Sequence, residues 1–121
     1  GWLPRTILGK YYQKAHFIIL PSSSSEGWPK VLSEAMAHGC VALASSISSI
    51  PEILQKTGAG LAIPEDHPEL YANAVVEFIK QPSRWMQFRN DGLGSARLFS
   101  YDAYLECVQA MFQEAWDLFL P

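Results

Sequence analysis

Two carboxylates and the backbone between them are the first candidates for chemistry in this chain. In "SSSSEGWPKVLSEAMAHG", Ser22 to Gly39, Glu26 closes a run of serines and Glu34 follows eight positions later. Pro29 stands where a helix can begin, so Lys30 and Val31 fall in its first turn. The first amides of a helix have no intrahelical acceptor and carry partial positive charge, which suits a phosphate or diphosphate. A carboxylate accepts two hydroxyl donors at once, as vicinal sugar hydroxyls present them. One arrangement therefore has a diphosphate on the helix start, Glu34 at a ribose and Glu26 at a sugar on the opposite side. In the other, Glu34 is a solvated helix acid and Glu26 a loop charge. Residue types alone leave both open.

Other chemistries find less support. The serine run has no G-x-S-x-G elbow and no histidine in an obvious partner position. His16, His38 and His67 lack ligand spacing with one another or with Cys40 and Cys107, and no Asp-x-Asp pair could hold a divalent ion. No metal and no cofactor is expected. The two cysteines lie in apolar surroundings and read as reduced, buried thiols, which favours a reducing, cytoplasmic compartment.

The elements that must position Glu26 and Glu34 follow from the apolar pattern. Pro4 opens a helix with Leu3, Ile7, Leu8, Tyr11 and Ala15 on one face. "HFIIL" (His16 to Leu20), "VALA" (Val41 to Ala44) and "GLAI" (Gly60 to Ile63) read as short strands, the first buried on both faces. The Ser22 to Trp28 loop thus lies beyond the carboxyl end of a strand, where open parallel sheets bind ligands. The helix from Pro29 closes at Gly39, with His38 in its last turn. Pro51 and Glu52 open another helix. Asp66 and Glu69 have the spacing of a reciprocal cap before a stripe of Leu70, Tyr71, Ala74, Val75, Phe78 and Ile79. A helical stretch from Pro82 is weakened around Gly92 and Gly94, and Ser100 caps a last helix. That helix carries Tyr101, Tyr104, Leu105, Val108, Met111, Phe112, Ala115 and Phe119 on one face. Strands alternating with helices imply an α/β fold, a Rossmann-like parallel sheet flanked by helices in three layers.

Bulk properties limit the partners. At 121 residues the chain is one domain long, and 49% hydrophobic content suits a packed core over disorder. A formal net charge of -3 with scattered Lys and Arg gives no stripe for nucleic acid. The last helix has Asp102, Glu106, Glu114 and Asp117 and no cation on its polar face, which argues against anionic lipid. No apolar run approaches the roughly 20 residues of a membrane span, and no signal peptide opens the chain.

"AHFIILPSSSSEGWPKVLSEAMAHGCVALAS" resembles the signature of retaining GT-B glycosyltransferases, particularly the large family 4. Its pattern runs A-D-V-F-V-L-P-S, E-G-F/W-P/G-x-V-x-x-E-A-M-A-x-G, then a strand. Glu26 and Glu34 match the glutamates of the family's E-x7-E motif without a gap. "SSIPEIL", "TGAGLAIPEDHPELYANAVVEFI" and the opening "GWLPRTILGKYYQKA" are similar to further segments in the right order.

The resemblance implies a nucleotide-diphosphate sugar as donor and a saccharide or lipid-linked acceptor, with retention of configuration and without a metal. It places Glu26 at the donor sugar and Glu34 at the ribose. It also puts the Gly27 and Trp28 backbone beside the sugar, the Lys30 and Val31 amides at the diphosphate, and Ser48 and Ser49 at the pocket's border. Ser48 and Ser49 stand where the family has glycines, which takes backbone freedom from that loop.

By the same resemblance, residues 1–121 are the distal part of a donor-binding domain, inactive alone, and residues 100–121 pack on a missing amino-terminal domain. An intact parent would work in the cytoplasm, at the inner face of the membrane. Two other readings stand beside this one. The first is a non-catalytic nucleotide-sugar-binding or structural module, and the second another GT-B enzyme such as an epimerase or phosphorylase.

Overall fold

The computed structural model describes residues 1–24 and 27–116. Three parallel strands, β1 (Phe17–Leu20), β2 (Val41–Ser45) and β3 (Gly60–Ile63), lie in the order β1-β2-β3. They alternate with α1 (Arg5–Lys14), α2 (Lys30–Met36), α3 (Ile50–Thr57) and α4 (Pro68–Lys80). Then follow α5 (Pro82–Ser95), a 3-10 turn over Ala96–Phe99, and α6 (Tyr101–Trp116). This is the parallel α/β architecture that the alternation of short apolar runs and helical stripes predicts.

Strand β2 is the middle of the sheet, and all five of its residues are buried. Its alternation divides the core in two. Ala42 and Ala44 face Leu32 and Met36 of α2 and Ile50 and Leu54 of α3. Val41 and Leu43 face Ile63 and the α4 residues Tyr71 and Phe78. Between β2 and β3, Gly60 pairs with Ala42, and a β-carbon there would collide with the Ala42 carbonyl oxygen. Ser45 bridges the far end of β2, within 3.1 Å of the Tyr71 hydroxyl and donating to the Leu20 carbonyl at 3.4 Å.

Helix α5 closes the amino-terminal edge of the sheet. The Trp85 indole N–H donates to the His16 carbonyl at 3.2 Å, and the Ser95 hydroxyl to the Thr57 carbonyl at 3.4 Å. Gly92 is buried against Ala59 and Met36. His16, Thr57 and Ala59 all precede strands, so α5 occupies that edge and leaves the loops at the carboxyl edge. The weakening expected around Gly92 and Gly94 does not occur, because α5 runs through both and Gly92 is the point of close contact.

Several expectations are corrected. β1 is not buried on both faces: among the described residues it pairs only with β2, and Ile19 is 50% exposed. Asp66 does not cap α4. It takes a positive φ of 58°, and α4 instead begins at Pro68 with no side-chain cap. The Glu69 carboxylate accepts from its own backbone N–H and from the His67 ring at 2.9 Å, which in that order hold its pKa below the usual range. Leu70 and Ile79 of the α4 stripe are exposed. Ser100 does cap the last helix, its hydroxyl accepting from the Ala103 N–H at 3.1 Å. α6 nevertheless buries no residue, since its main neighbour is the 3-10 turn before it. Cys107 on α6 is therefore exposed rather than buried.

Cys40 is buried at the start of β2, where its thiol donates to the Tyr12 and Ala15 carbonyls at 3.3 and 3.5 Å. Burial raises its pKa above the ordinary 9.0. Tyr12 is raised above 10.0, by burial first and then by the negative charge of Glu34 and of the Cys40 thiolate.

Three outcomes are expected. Gly60→Ala will cost roughly 1–3 kcal/mol of stability, measured as a fall in the urea midpoint. Cys40 and Tyr12 hold their protons more tightly folded than unfolded, so their contribution to stability is level below about pH 9 and is lost as pH rises through their folded values. Urea titrations at stepped pH will show that fall, and Cys40→Ala will flatten its first part. A thiol reagent will label Cys107 in the native protein and Cys40 only after unfolding.

Candidate functional site

The site is built from two loops at one edge of the sheet. Leu20 pairs with Ala44 at the carboxyl ends of adjacent parallel strands, so the loop after β1 and the loop after β2 leave side by side. Trp28 of the first loop and Ile47 of the second both pack on the cluster of Leu32 and Ile50. Gly27 adopts φ +70° at an exposed position, the left-handed region where a glycine carries no side-chain penalty. Glu26, the first acid of the pair, lies outside the described residues.

Helix α2 follows this loop without a side-chain cap. The Leu32 amide closes the first turn on the Pro29 carbonyl at 3.1 Å, so the Lys30 and Val31 amides belong to the open first turn. Leu32, Ala35 and Met36 are buried on the sheet side of α2. Glu34 is therefore set toward the surface, with its side chain 32% exposed. Its Oε1 accepts from Arg5 Nη2 of α1 at 3.1 Å. Its backbone carbonyl accepts from the His38 ring N–H at 2.7 Å, which places the proton of a neutral His38 on Nδ1.

An open cleft of about 910 Å³ lies between this helix and the start of α6. Arg5, Trp28, Lys30, Ser33 and Glu34 form one wall, and Phe99, Tyr101, Tyr104 and Cys107 the other. The Trp28 indole is fixed in it: its N–H donates to the Ser33 hydroxyl at 2.6 Å, and its ring stacks on Phe99 at 5.2 Å and 14°. Of the expected site residues, Trp28, Lys30 and Glu34 share this cleft. The Val31 side chain packs toward the core instead. Ser48 and Ser49 are not among the residues lining the cleft and stay at the neighbouring strand end.

Ser48 takes φ 51°, so the loop keeps a left-handed residue where loss of backbone freedom is expected. Ser49 directly precedes α3, and its carbonyl accepts from the Ile53 amide at 3.0 Å. Sequence reading missed Arg5, Ser33 and Phe99. Only Ser33 carries a local signal, five residues past Trp28. Arg5 is 29 residues from Glu34 and Phe99 is 71 from Trp28. Among the described residues no three His, Cys, Asp or Glu side chains gather as a metal set, and no helix is long and apolar enough to cross a membrane.

Residues 1–93 match the family "Glycosyl transferases group 1", a stretch that takes in both loops, α2 and the whole sheet. The chain belongs to the group 1 glycosyl transferases. It is 27% identical over 113 residues to D-inositol 3-phosphate glycosyltransferase of Thermobifida fusca, covering 93% of this chain and 26% of that protein. It is 32% identical over 77 residues to the amylovoran biosynthesis glycosyltransferase of Erwinia amylovora, covering 60% of this chain and 19% of that one. The chain thus spans about a quarter or less of these relatives. Among solved structures, sucrose-phosphate synthase from Thermosynechococcus elongatus superposes with a TM-score of 0.80 at 22% identity, over 97% of this chain and 29% of that one. The fold is accordingly a Rossmann-like part of the GT-B architecture of this family.

The group 1 loop after β2 can be tested by its backbone. Left-handed geometry costs an L-residue about 1–2 kcal/mol, while glycine gives back part of that in unfolded-chain entropy. Ser48→Gly will therefore stabilise the chain by roughly 0.5–1 kcal/mol and Ser48→Val will destabilise it by about 1 kcal/mol or more. Denaturant midpoints of both variants check this pair of signs.

Proposed function

We propose that this chain holds the donor in a retaining glycosyltransferase of the family 4 type. The donor is a nucleotide-diphosphate sugar, and the acceptor a saccharide or glycolipid. The observation that carries this reading is the place of Glu34. It lies one turn into α2, lines a large open cleft, and sits on the helix that follows the loop at the carboxyl end of β1. That is where a parallel sheet receives a ligand.

In this reading Glu34 accepts from the ribose hydroxyls and Glu26 from hydroxyls of the sugar. The Lys30 and Val31 amides meet the diphosphate, stabilising the charge that develops as it leaves. Gly27 and the Trp28 backbone border the sugar, while Ser48 and Ser49 stand at the neighbouring strand end, outside the cleft. The reaction needs no metal in this scheme. The amino-terminal domain of a full-length protein supplies the acceptor side, and α6, with its exposed Tyr101, Tyr104 and Met111, packs against it.

The test is substitution in the full-length protein. A hydrogen bond to a charged group is worth about 1.5–3 kcal/mol, so each Glu→Ala change will lower kcat/KM by roughly ten- to a hundredfold. Glu34→Ala will act mainly on the donor KM and Glu26→Ala mainly on kcat, since the sugar changes in the transition state and the ribose does not. Near-normal rates in both variants would end the reading. A second reading has one observation behind it: a relative 27% identical over 112 residues is named an exopolysaccharide phosphotransferase of Streptomyces coelicolor. A donor carrying label in both sugar and phosphate separates the two, because only phosphotransfer moves the phosphate label to product.

A further inference from the structure

We infer that Arg5 is a positioning residue for Glu34, presenting its carboxylate to the donor's ribose, an inference that rests on the donor-binding reading above. Glu34 is held from two directions by groups outside α2. His38 fixes its carbonyl at 2.7 Å, and Arg5 Nη2 engages Oε1 at 3.1 Å. Arg5 is itself placed by the first turn of α1, where Pro4 presets the backbone and its carbonyl accepts from the Ile7 and Leu8 amides at 2.9 and 3.0 Å.

The pair stands at a boundary. Arg5 and Glu34 both line the 910 Å³ cleft, and both also line a second recess of about 370 Å³ beneath α1, beside Leu8, Tyr12 and His38. With Oε1 committed to Arg5, Oε2 is the oxygen the pair presents to a hydroxyl donor. A glutamate free to change rotamer would have to lose that freedom on binding, whereas one already tethered binds with less loss.

The Arg5 side chain is 87% exposed, so the pair contributes little to folding. An effect on donor binding without an effect on stability is therefore its signature. The experiment uses the full-length protein, with steady-state kinetics against the nucleotide-sugar donor and thermal melts for each variant. Arg5→Gln will raise the donor KM about five- to tenfold with kcat within about twofold and an unchanged melting temperature. Arg5→Lys will recover part of the loss, because an ammonium keeps the charge but not the planar fork. In a Glu34→Gln background, Arg5→Gln will add nothing further.

If Glu34→Gln raises KM and Arg5→Gln does not, the inference fails and the donor reading stands. If the two effects multiply, Arg5 acts without Glu34 and the inference fails as well. If Glu34→Gln leaves KM untouched, the donor reading itself falls and takes the inference with it.

Discussion

Complete burial of the short strand β2 is the constraint on which the rest of this structure depends. Five residues, Val41 to Ser45, contribute side chains to both faces, and no position is left for a polar group that lacks an internal partner. Ser45 meets that condition through Tyr71 and Leu20. Ala42 and Ala44 keep one face shallow, so the buried sides of α2 and α3 come down onto the sheet. The other face takes the larger Val41 and Leu43 under the aromatic side of α4. With α5 across the amino edge, the carboxyl edge is where the backbone can turn outward, and both candidate loops emerge there.

The placing of the Glu34 carboxylate beside the cleft is a consequence of that packing. α2 is only seven residues long, and three of them, Leu32, Ala35 and Met36, are buried. Their spacing fixes the rotation of the helix about its axis. Glu34 is then forced to the side facing α1 and the cleft, whatever its own preference. The adjacent aromatic contact fixes the helix start in the same way, since Trp28 is tied to Ser33 of α2 and stacked on Phe99. Carboxylate and first-turn amides thus belong to one rigid unit seated on β2.

How much of this was legible in sequence depends on how local the determining contacts are. β3 was readable to the residue, and β2 nearly so: β2 is buried on both faces, which writes a continuous apolar run, and the half-buried β3 is apolar throughout between Gly60 and Ile63. Ser100 as a cap was legible because its partner is three residues away. β1 misled for the same physical reason in reverse: "FIIL" is as apolar as a central strand, yet Ile19 faces outward at an edge. Asp66 and Glu69 had the spacing of a cap, but the left-handed turn at Asp66 and Pro68 at the helix start directed Glu69 to His67. Cys107 and the apolar side of α6 read as buried because periodicity reports a face without reporting what covers it. The Arg5–Glu34 pair had no signal, being a contact between two surface groups 29 residues apart.

Ser48 shows how a loop can keep a left-handed turn without a glycine. The loop after β2 must turn from the strand into α3 within four residues, 46–49, and three short bonds tighten it. The Ser46 amide donates to the Ile63 carbonyl at 2.7 Å, the Ile47 amide to Ser45 at 2.8 Å and the Ile50 amide to Ile47 at 3.1 Å. Together they over-determine the backbone, so Ser48 is held at positive φ although its β-carbon disfavours it. Strain of that kind persists only where neighbouring contacts outweigh it. Here those contacts come from β3 and from the start of α3, both anchored on the same buried core. The conformation of the loop is therefore set by the sheet beneath it more than by the residue at its tip. A glycine at this position would relax the turn without redirecting it.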